Sequence, residues 1–431
     1  MTFDNDNMSA LDPSRAGGVI GEIATWITDT AIMPLPALSM MTTLATLAGM
    51  CGSSMLTPVG GGINTYVLGI QETGGGKAHP PKAGRRIANK VKPGSFNGGD
   101  PTSAAAIERM IRETVGHSTC LHMDEFGITL QNINSKKPDG TASGIRKFLL
   151  AIYDQADSVF DGRAYAKVEP GKNKSEPIYG PALSLIATTT PDSLFKGLSE
   201  SVFSEGFFNR FIVVPPAPRL RPEDIRVPGI DRNINPSEKF IDDVSRAIAS
   251  IPRGDLVSHS NMPQRQKRKA EIFGGEDGAA KKRWNDIFRQ QSLLPEHIYG
   301  RLAENVMKLA TLRAISSNPL KPVVQLDDIE WANSIVRDGC RWLETVSKNK
   351  IADTAHDGRR IAIMEALEKY GELTFSKLLV RKGVSGFKDK QEVCNDLMFM
   401  FESGKIGIEG GFDEGGRFYG TGSTISVPKA A

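Results

Sequence analysis

Apolar residues follow two rhythms along this chain. Near the start they recur at helical spacing, over Ile20–Ile27 and again over Pro36–Met50. Between residues 61 and 230 they gather into short runs separated by amphipathic stretches: Tyr66–Ile70, Thr119–Met123, Leu183–Thr188 and Phe211–Val214. Nearly unbroken apolar runs of this length suit strands covered on both faces, so the pattern predicts an α/β layered domain with a mostly parallel sheet. Residues 231–350 read as helical and residues 357–425 as a compact C-terminal unit, with 1–60 as a helical N-terminal region. Pro215–Pro228 and Ser347–Asp357 are the expected connections, and the basic run Gln264–Lys269 reads as the solvated face of a helix.

The C-terminal unit has a finer pattern. Arg360–Tyr370 is an amphipathic helix with Ile361, Met364 and Leu367 on one face. A short strand Leu373–Thr374, a helix Phe375–Arg381 and a helix Asp389–Phe401 follow, the last with Val393, Leu397, Met400 and Phe401 inward. Lys405–Glu409 and the segment at Arg417 then read as a two-stranded wing. Three helices and a wing make a winged-helix domain, whose third helix can enter a DNA major groove. That helix carries Gln391, Glu392, Asn395 and Asp396 and is not very basic, so a protein-contact role stands beside duplex DNA binding.

No residue from Thr30 to Gln71 is charged, which admits two readings, a membrane span or a buried core helix. Scattered Ser, Thr and Gly, the preceding Pro34 and Pro36, and the lack of flanking basic residues favour the buried helix and no membrane partner. The 431 residues call for two or three domains, and 39% hydrophobic with 24% charged residues is an ordinary globular balance. A net charge of +3 permits a nucleic-acid partner without arguing for one. The four cysteines form no Cys-x-x-Cys pair and the histidines no His-x-x-x-His pair, which speaks against a disulfide framework or zinc site and fits a reducing cytoplasm. The acidic, polar first residues do not read as a signal peptide.

The chemistry begins where the Tyr66–Ile70 run meets Gln71-Glu-Thr73-Gly74-Gly75-Gly76-Lys77-Ala78 and then a basic helix, Lys82–Lys90. Glycines let a backbone wrap a phosphate, and the helix N-terminus and the Lys77 ammonium would meet its charge. The usual pattern is G-x-x-x-x-G-K-[ST]. Here Gln71 replaces the first glycine, and Ala78 replaces the hydroxyl residue that ligates Mg²⁺, which shifts metal binding toward an acidic pair and leaves a weakened hydrolysis step open. The second run ends in Asp124-Glu125: Asp124 would hold Mg²⁺ and Glu125 would polarise the attacking water of an ATP. The third ends in Thr188-Thr189-Thr190-Pro191, where Thr190 first and Thr189 second are candidates to orient that water, or simply a strand-end turn. Arg210, just before the fourth run, could stabilise transition-state charge on a neighbouring subunit, which requires a ring-like oligomer, or could be paired inside its own subunit.

This order of strand–GGGK, strand–DE, strand–TTTP and GFFNRF resembles the ring-forming AAA+ or RecA-like P-loop ATPases of phage, plasmid and prophage replication modules, some of them primase-linked. The segment from Tyr299-Gly-Arg301 through Val323-Val-Gln-Leu-Asp-Asp-Ile-Glu-Trp-Ala is similar to the helical lid of minichromosome-maintenance-type helicases. The resemblance covers about residues 40–345 and implies ATP and Mg²⁺ as cofactors, Arg301 as a second nucleotide sensor, and a hexameric DNA helicase or translocase in a bacterial cytoplasm. It implies a pore hairpin before the first sensor, placing Lys167, Lys172 and Lys174 on single-stranded DNA; a hairpin merely kept soluble by its lysines is the alternative. A helicase loader that remodels without unwinding, or a nucleotide-switched initiator with weak hydrolysis, would share these motifs.

Overall fold

The computed structural model describes residues 10–428, apart from 134–139, 163–176, 199–205, 228–233, 255, 260–261, 351–354, 382–383, 385–389 and 414–415. The chain divides into two compact units, Met1–Glu344 and Thr345–Ala431.

A five-stranded sheet organises the first unit. Its strands are β1 (Tyr66–Ile70), β2 (Phe96–Gly98), β3 (Ser118–Met123), β4 (Ala182–Thr189) and β5 (Phe211–Val214), in spatial order β2-β3-β4-β1-β5. Every pairing is parallel; Tyr66 lies opposite Leu185 on one side and Phe211 on the other, and Ser118 opposite Ala182. β4 and β1 are buried throughout, as continuous apolar runs require when both faces are covered. The coverings follow from strand alternation. Tyr66 donates its hydroxyl to the carbonyl of Leu149 in the helix Gly140–Tyr153, 3.0 Å away. Gly69 faces the other way, and a Cβ there would come within 2.5 Å of Leu38 in the helix Pro36–Cys51. Three layers result, a mixed α/β core with a parallel sheet, compatible with a P-loop-like core.

Pro36–Cys51 is buried along its whole length from Ala37. At Gly49 it presses onto β3, where a Cβ would stand 2.7 Å from the Cys120 amide nitrogen. Thr43 and Thr46 return their hydroxyls to the carbonyls of Ser39 and Thr42, which lets an uncharged but polar-dotted helix be buried. Among the described residues no helix is long and apolar enough to cross a membrane. The N-terminal helices therefore share one compact unit with the sheet and with the helices that follow it, among them Ala279–Gln291, Leu302–Ser317 and the start of Leu326–Lys350.

Two expectations for residues 231–350 need correction. The basic run is extended rather than helical: Arg268–Lys269 pairs in parallel with Met55–Leu56, while Lys267 turns inward and donates to the Gly180 carbonyl at 2.7 Å. Glu271–Ile272 pairs likewise with Val323–Val324, so short strands stitch this otherwise helical region.

In the second unit the helices are Ala355–Tyr370, Phe375–Leu379 and Lys390–Glu402, and the sheet has three antiparallel strands, with Thr424–Ser426 between Leu373–Thr374 and Gly407–Glu409. The buried face of the first helix is Ile363, Ala366 and Leu367, with Ile361 and Met364 at its margin, and Phe401 is exposed. What displaces the expected face is an ion pair: Arg359, fully buried, sets its Nε 2.9 Å from the fully buried Asp396 carboxylate, and Arg360 approaches the same carboxylate at 2.9 Å.

Candidate nucleotide site

β1 runs out at Ile70, and the Gln71 amide still donates to the Thr189 carbonyl at 3.0 Å, carrying the ladder one residue further. The side chain of Gln71 then turns inside and accepts the Ala217 amide at 3.0 Å. A glycine could not make this tie, so the departure from the usual loop pattern fixes the loop's base to the segment beyond β5. Gly74 and Gly76 adopt φ of +75° and +91°, and the Gly75 amide closes the turn on the Glu72 carbonyl at 3.0 Å. Thr73 and Gly74 are exposed at the tip. Ala78 caps the helix His79–Val91 without a side-chain bond; the His79 amide donates to the Gly76 carbonyl at 3.1 Å and Pro80 and Pro81 carry no amide hydrogen, so the first turn of this helix, contrary to the expectation from sequence, offers an anion little.

Gly76 is backed by main chain. A Cβ there would sit 2.8 Å from the Met33 carbonyl oxygen, on a backbone that L-residues already avoid. Gly76→Ala is expected to destabilise the first unit by about 1–2 kcal/mol for the conformation alone, with nucleotide affinity falling alongside. Thermal unfolding with and without ADP reads both.

The Lys77 side chain is 10% exposed, and its ammonium lies 2.6 Å from Glu125 Oε1 and 3.5 Å from Asp124 Oδ1. The two acids come from β3, which is not β1's neighbour; β4 separates them. Glu125 holds φ at +47°, a left-handed conformation rare for a side-chain-bearing residue and frequent where a site stores strain. Asp124 Oδ1 accepts the Thr188 hydroxyl at 2.6 Å and the Glu125 amide at 2.9 Å. Burial pushes the Asp124 carboxyl upward, but the bonds from Thr188 and Glu125 and the charge of Lys77 outweigh it and hold the group below its ordinary value. Asp124 is thus a carboxylate at neutral pH. His122 is driven below its ordinary value by burial, against the pull of Asp124 and Asp100.

Of the three threonines, the one at the acidic pair is Thr188. Thr190, the first sequence choice, accepts the Ser193 amide at 3.3 Å and caps the helix Pro191–Gly197; Thr189 accepts the Gly127 amide at 3.1 Å. The reason is alternation. In register, His122 faces Ile186, and two steps on along each strand Asp124 and Thr188 share that same face, while Thr190 already lies past the end of β4.

Arg210 and Arg301 sit elsewhere. Arg301 forks onto Asp154 at 2.6 and 2.7 Å and reaches Glu304 at 2.6 Å; Arg210 approaches Asp154 at 3.6 Å and donates to the Gly206 carbonyl at 2.7 Å. Both guanidinium groups and the ammonium of Lys308 surround the ring of buried Tyr153. Arg210 precedes β5, at the end of the sheet where strands begin, whereas Lys77 follows the end of β1. A five-residue strand spans roughly 16 Å, so neither arginine stands at the glycine loop. Lys167, Lys172 and Lys174 lie outside the described residues.

Sequence reasoning missed His122, Thr188, Asp154 and the tie from Gln71. Counting back by two from Asp124 singles out His122; the others depend on which strands are neighbours.

No family model matches the chain, and no curated protein matches it. Among solved structures, a full-length MCM homolog from Methanopyrus kandleri superposes with a TM-score of 0.37 and 12% identity, over 79% of this chain. The matched part spans 62% of that homolog's length. The functional reading rests on the geometry of the site itself.

Proposed function

We propose that this chain is a P-loop ATPase that drives a ring-shaped DNA helicase or translocase of mobile-element replication. One observation carries the reading: a glycine loop at the end of one strand and an acidic pair at the end of a non-adjacent strand meet at a single buried ammonium, Lys77. In that arrangement the loop amides and Lys77 grip the polyphosphate of ATP, and Glu125 polarises the attacking water. Asp124 has the chemistry for Mg²⁺: it is ionised, and its Oδ2 accepts no hydrogen bond among the described residues. Mg²⁺ when bound supplies charge neutralisation at the β and γ phosphates. The C-terminal helices and three-stranded sheet suit a winged-helix module for duplex DNA or a replication partner such as a primase.

Arg210 and Arg301, at the far end of the sheet from Lys77, would act on the nucleotide of another copy, which requires a head-to-tail assembly such as a hexamer. Asp154 aims them. Arg210→Ala is expected to lower turnover by about 10³-fold while nucleotide affinity stays near that of the parent. Mixing it with Lys77→Ala subunits should restore part of the activity, since each variant keeps the half-site the other lacks. Phosphate-release assays on the mixture check this, and a mixture as inactive as its components removes the shared-site reading. ATPase rate with and without single-stranded DNA, together with native mass, tests the motor as a whole.

Ala78 favours a second reading, a nucleotide-switched DNA-binding initiator, because the hydroxyl that commonly assists metal binding is missing. Strand displacement separates a helicase from a loader. ATP binding without turnover identifies the switch.

A further inference from the structure

Asp124 is held in a way that the acidic-pair motif does not require. Among the described residues its hydrogen bonds fall on one oxygen: Oδ1 takes the Thr188 hydroxyl at 2.6 Å and the Glu125 amide at 2.9 Å, with Lys77 3.5 Å away. Thr188 is fully buried on β4, and its own oxygen lies 3.2 Å from His122 Nε2. The hydroxyl hydrogen is committed to Asp124, so the Thr188 oxygen can only accept from His122, which places a hydrogen on Nε2. The three groups share one face of the sheet, so the chain His122 to Thr188 to Asp124 runs across two paired strands rather than through a loop. A carboxylate fixed through one oxygen by a bond of this kind cannot rotate to present the other differently.

We propose that Thr188, with His122 behind it, is a positioning relay that clamps Asp124 through Oδ1 and reserves Oδ2 for the metal ion that accompanies the nucleotide. The proposal rests on the nucleotide-site reading above and deepens it. It also answers the substitution at Ala78: with no hydroxyl at the start of the phosphate helix, the fixed orientation of Asp124 carries more of the metal site.

The test uses the full chain and reads binding rather than turnover. Mn²⁺ is titrated in the presence of ADP and followed by electron paramagnetic resonance, and a fluorescent ADP is titrated without metal. Thr188→Val removes the donor at constant size. It is expected to weaken Mn²⁺ binding by about 10-fold while metal-free ADP affinity is unchanged, and Thr188→Ser should restore most of the loss. His122→Leu should weaken Mn²⁺ less. The double variant should be no worse than Thr188→Val alone, because the imidazole acts only through the hydroxyl. Should Thr188→Val fail to fold, His122→Leu at its half-buried position, with His122→Gln as the rescuing donor, carries the same comparison.

The outcomes are distinguishable. Wild-type protein that binds ADP and Mn²⁺, with Thr188→Val identical to it, overturns the relay and leaves the nucleotide site standing. Additive losses from the two residues overturn the order of the relay. Wild-type protein without affinity for ADP removes the nucleotide-site reading and the relay with it.

Discussion

Replacing Lys77 with alanine should stop ATP turnover, with a fall of about 10³-fold or more, near 4 kcal/mol in the barrier. The size follows from how few alternatives the site has. The Lys77 side chain is 10% exposed and is the ammonium shared by Asp124 and Glu125. Without it, two adjacent carboxylates remain where a polyphosphate must approach, and the site repels the anion it is built to hold. Asp124 would keep its bonds from Thr188 and the Glu125 amide, so the fold at the end of β3 should persist. Lys77→Arg is expected to rescue little, since a planar fork cannot take the place of a compact ammonium in so tight a loop. Fluorescent-nucleotide titration and phosphate release together check this; turnover close to wild type in Lys77→Ala would remove the phosphate-loop reading.

The largest stability effect is expected in the second unit. Asp396 is fully buried and neutralises Arg359, also fully buried, with Glu392 2.7 Å from the same guanidinium and Arg360 on the other carboxylate oxygen. Asp396→Ala takes from the buried Arg359 its fully buried counter-charge and leaves the half-exposed Glu392 beside it, at a cost of about 3–5 kcal/mol. Hydrogen exchange is the suitable measurement, since two units need not unfold together. Amides in Ala355–Tyr370 and Lys390–Glu402 should lose protection by roughly 10²- to 10⁴-fold, with the first unit unaffected. Replacing Arg359 and Asp396 together by Met and Leu should cost much less, because no charge is then stranded. Equal losses in the single and double variants would mean that packing, not charge, holds this unit.

The parallel sheet was legible because its strands are continuous apolar runs; four of the five could be read this way. Phe96–Gly98 was not, being three residues with a polar middle, and it is a strand only because β3 offers it an edge. Lys77, Asp124 and Glu125 were legible because their spacing is local to a strand end. Thr188 was not separable from Thr189 and Thr190 without the register to β3. Arg210 read as a group reaching a neighbouring subunit and Arg301 as a second nucleotide sensor, and nothing local shows that they meet at Asp154 at the other end of the sheet. The run at Gln264–Lys269 misled because charge density says nothing about backbone shape; its conformation is set by Met55–Leu56, distant in sequence.

The helix Pro36–Cys51 has a consequence for how this fold can be inherited. It is one of the two coverings of the sheet, lying on β3 at Gly49 and on β1 at Gly69 through Leu38. A chain begun just ahead of the phosphate loop would leave Cys120 and the Gly69 face of the sheet open to water. Met33, which backs the loop at Gly76, would go with it. Any recombination that moves the glycine loop and the acidic pair between proteins must therefore carry the uncharged stretch before them as well, so its lack of charge records a buried position inside the sheet domain itself.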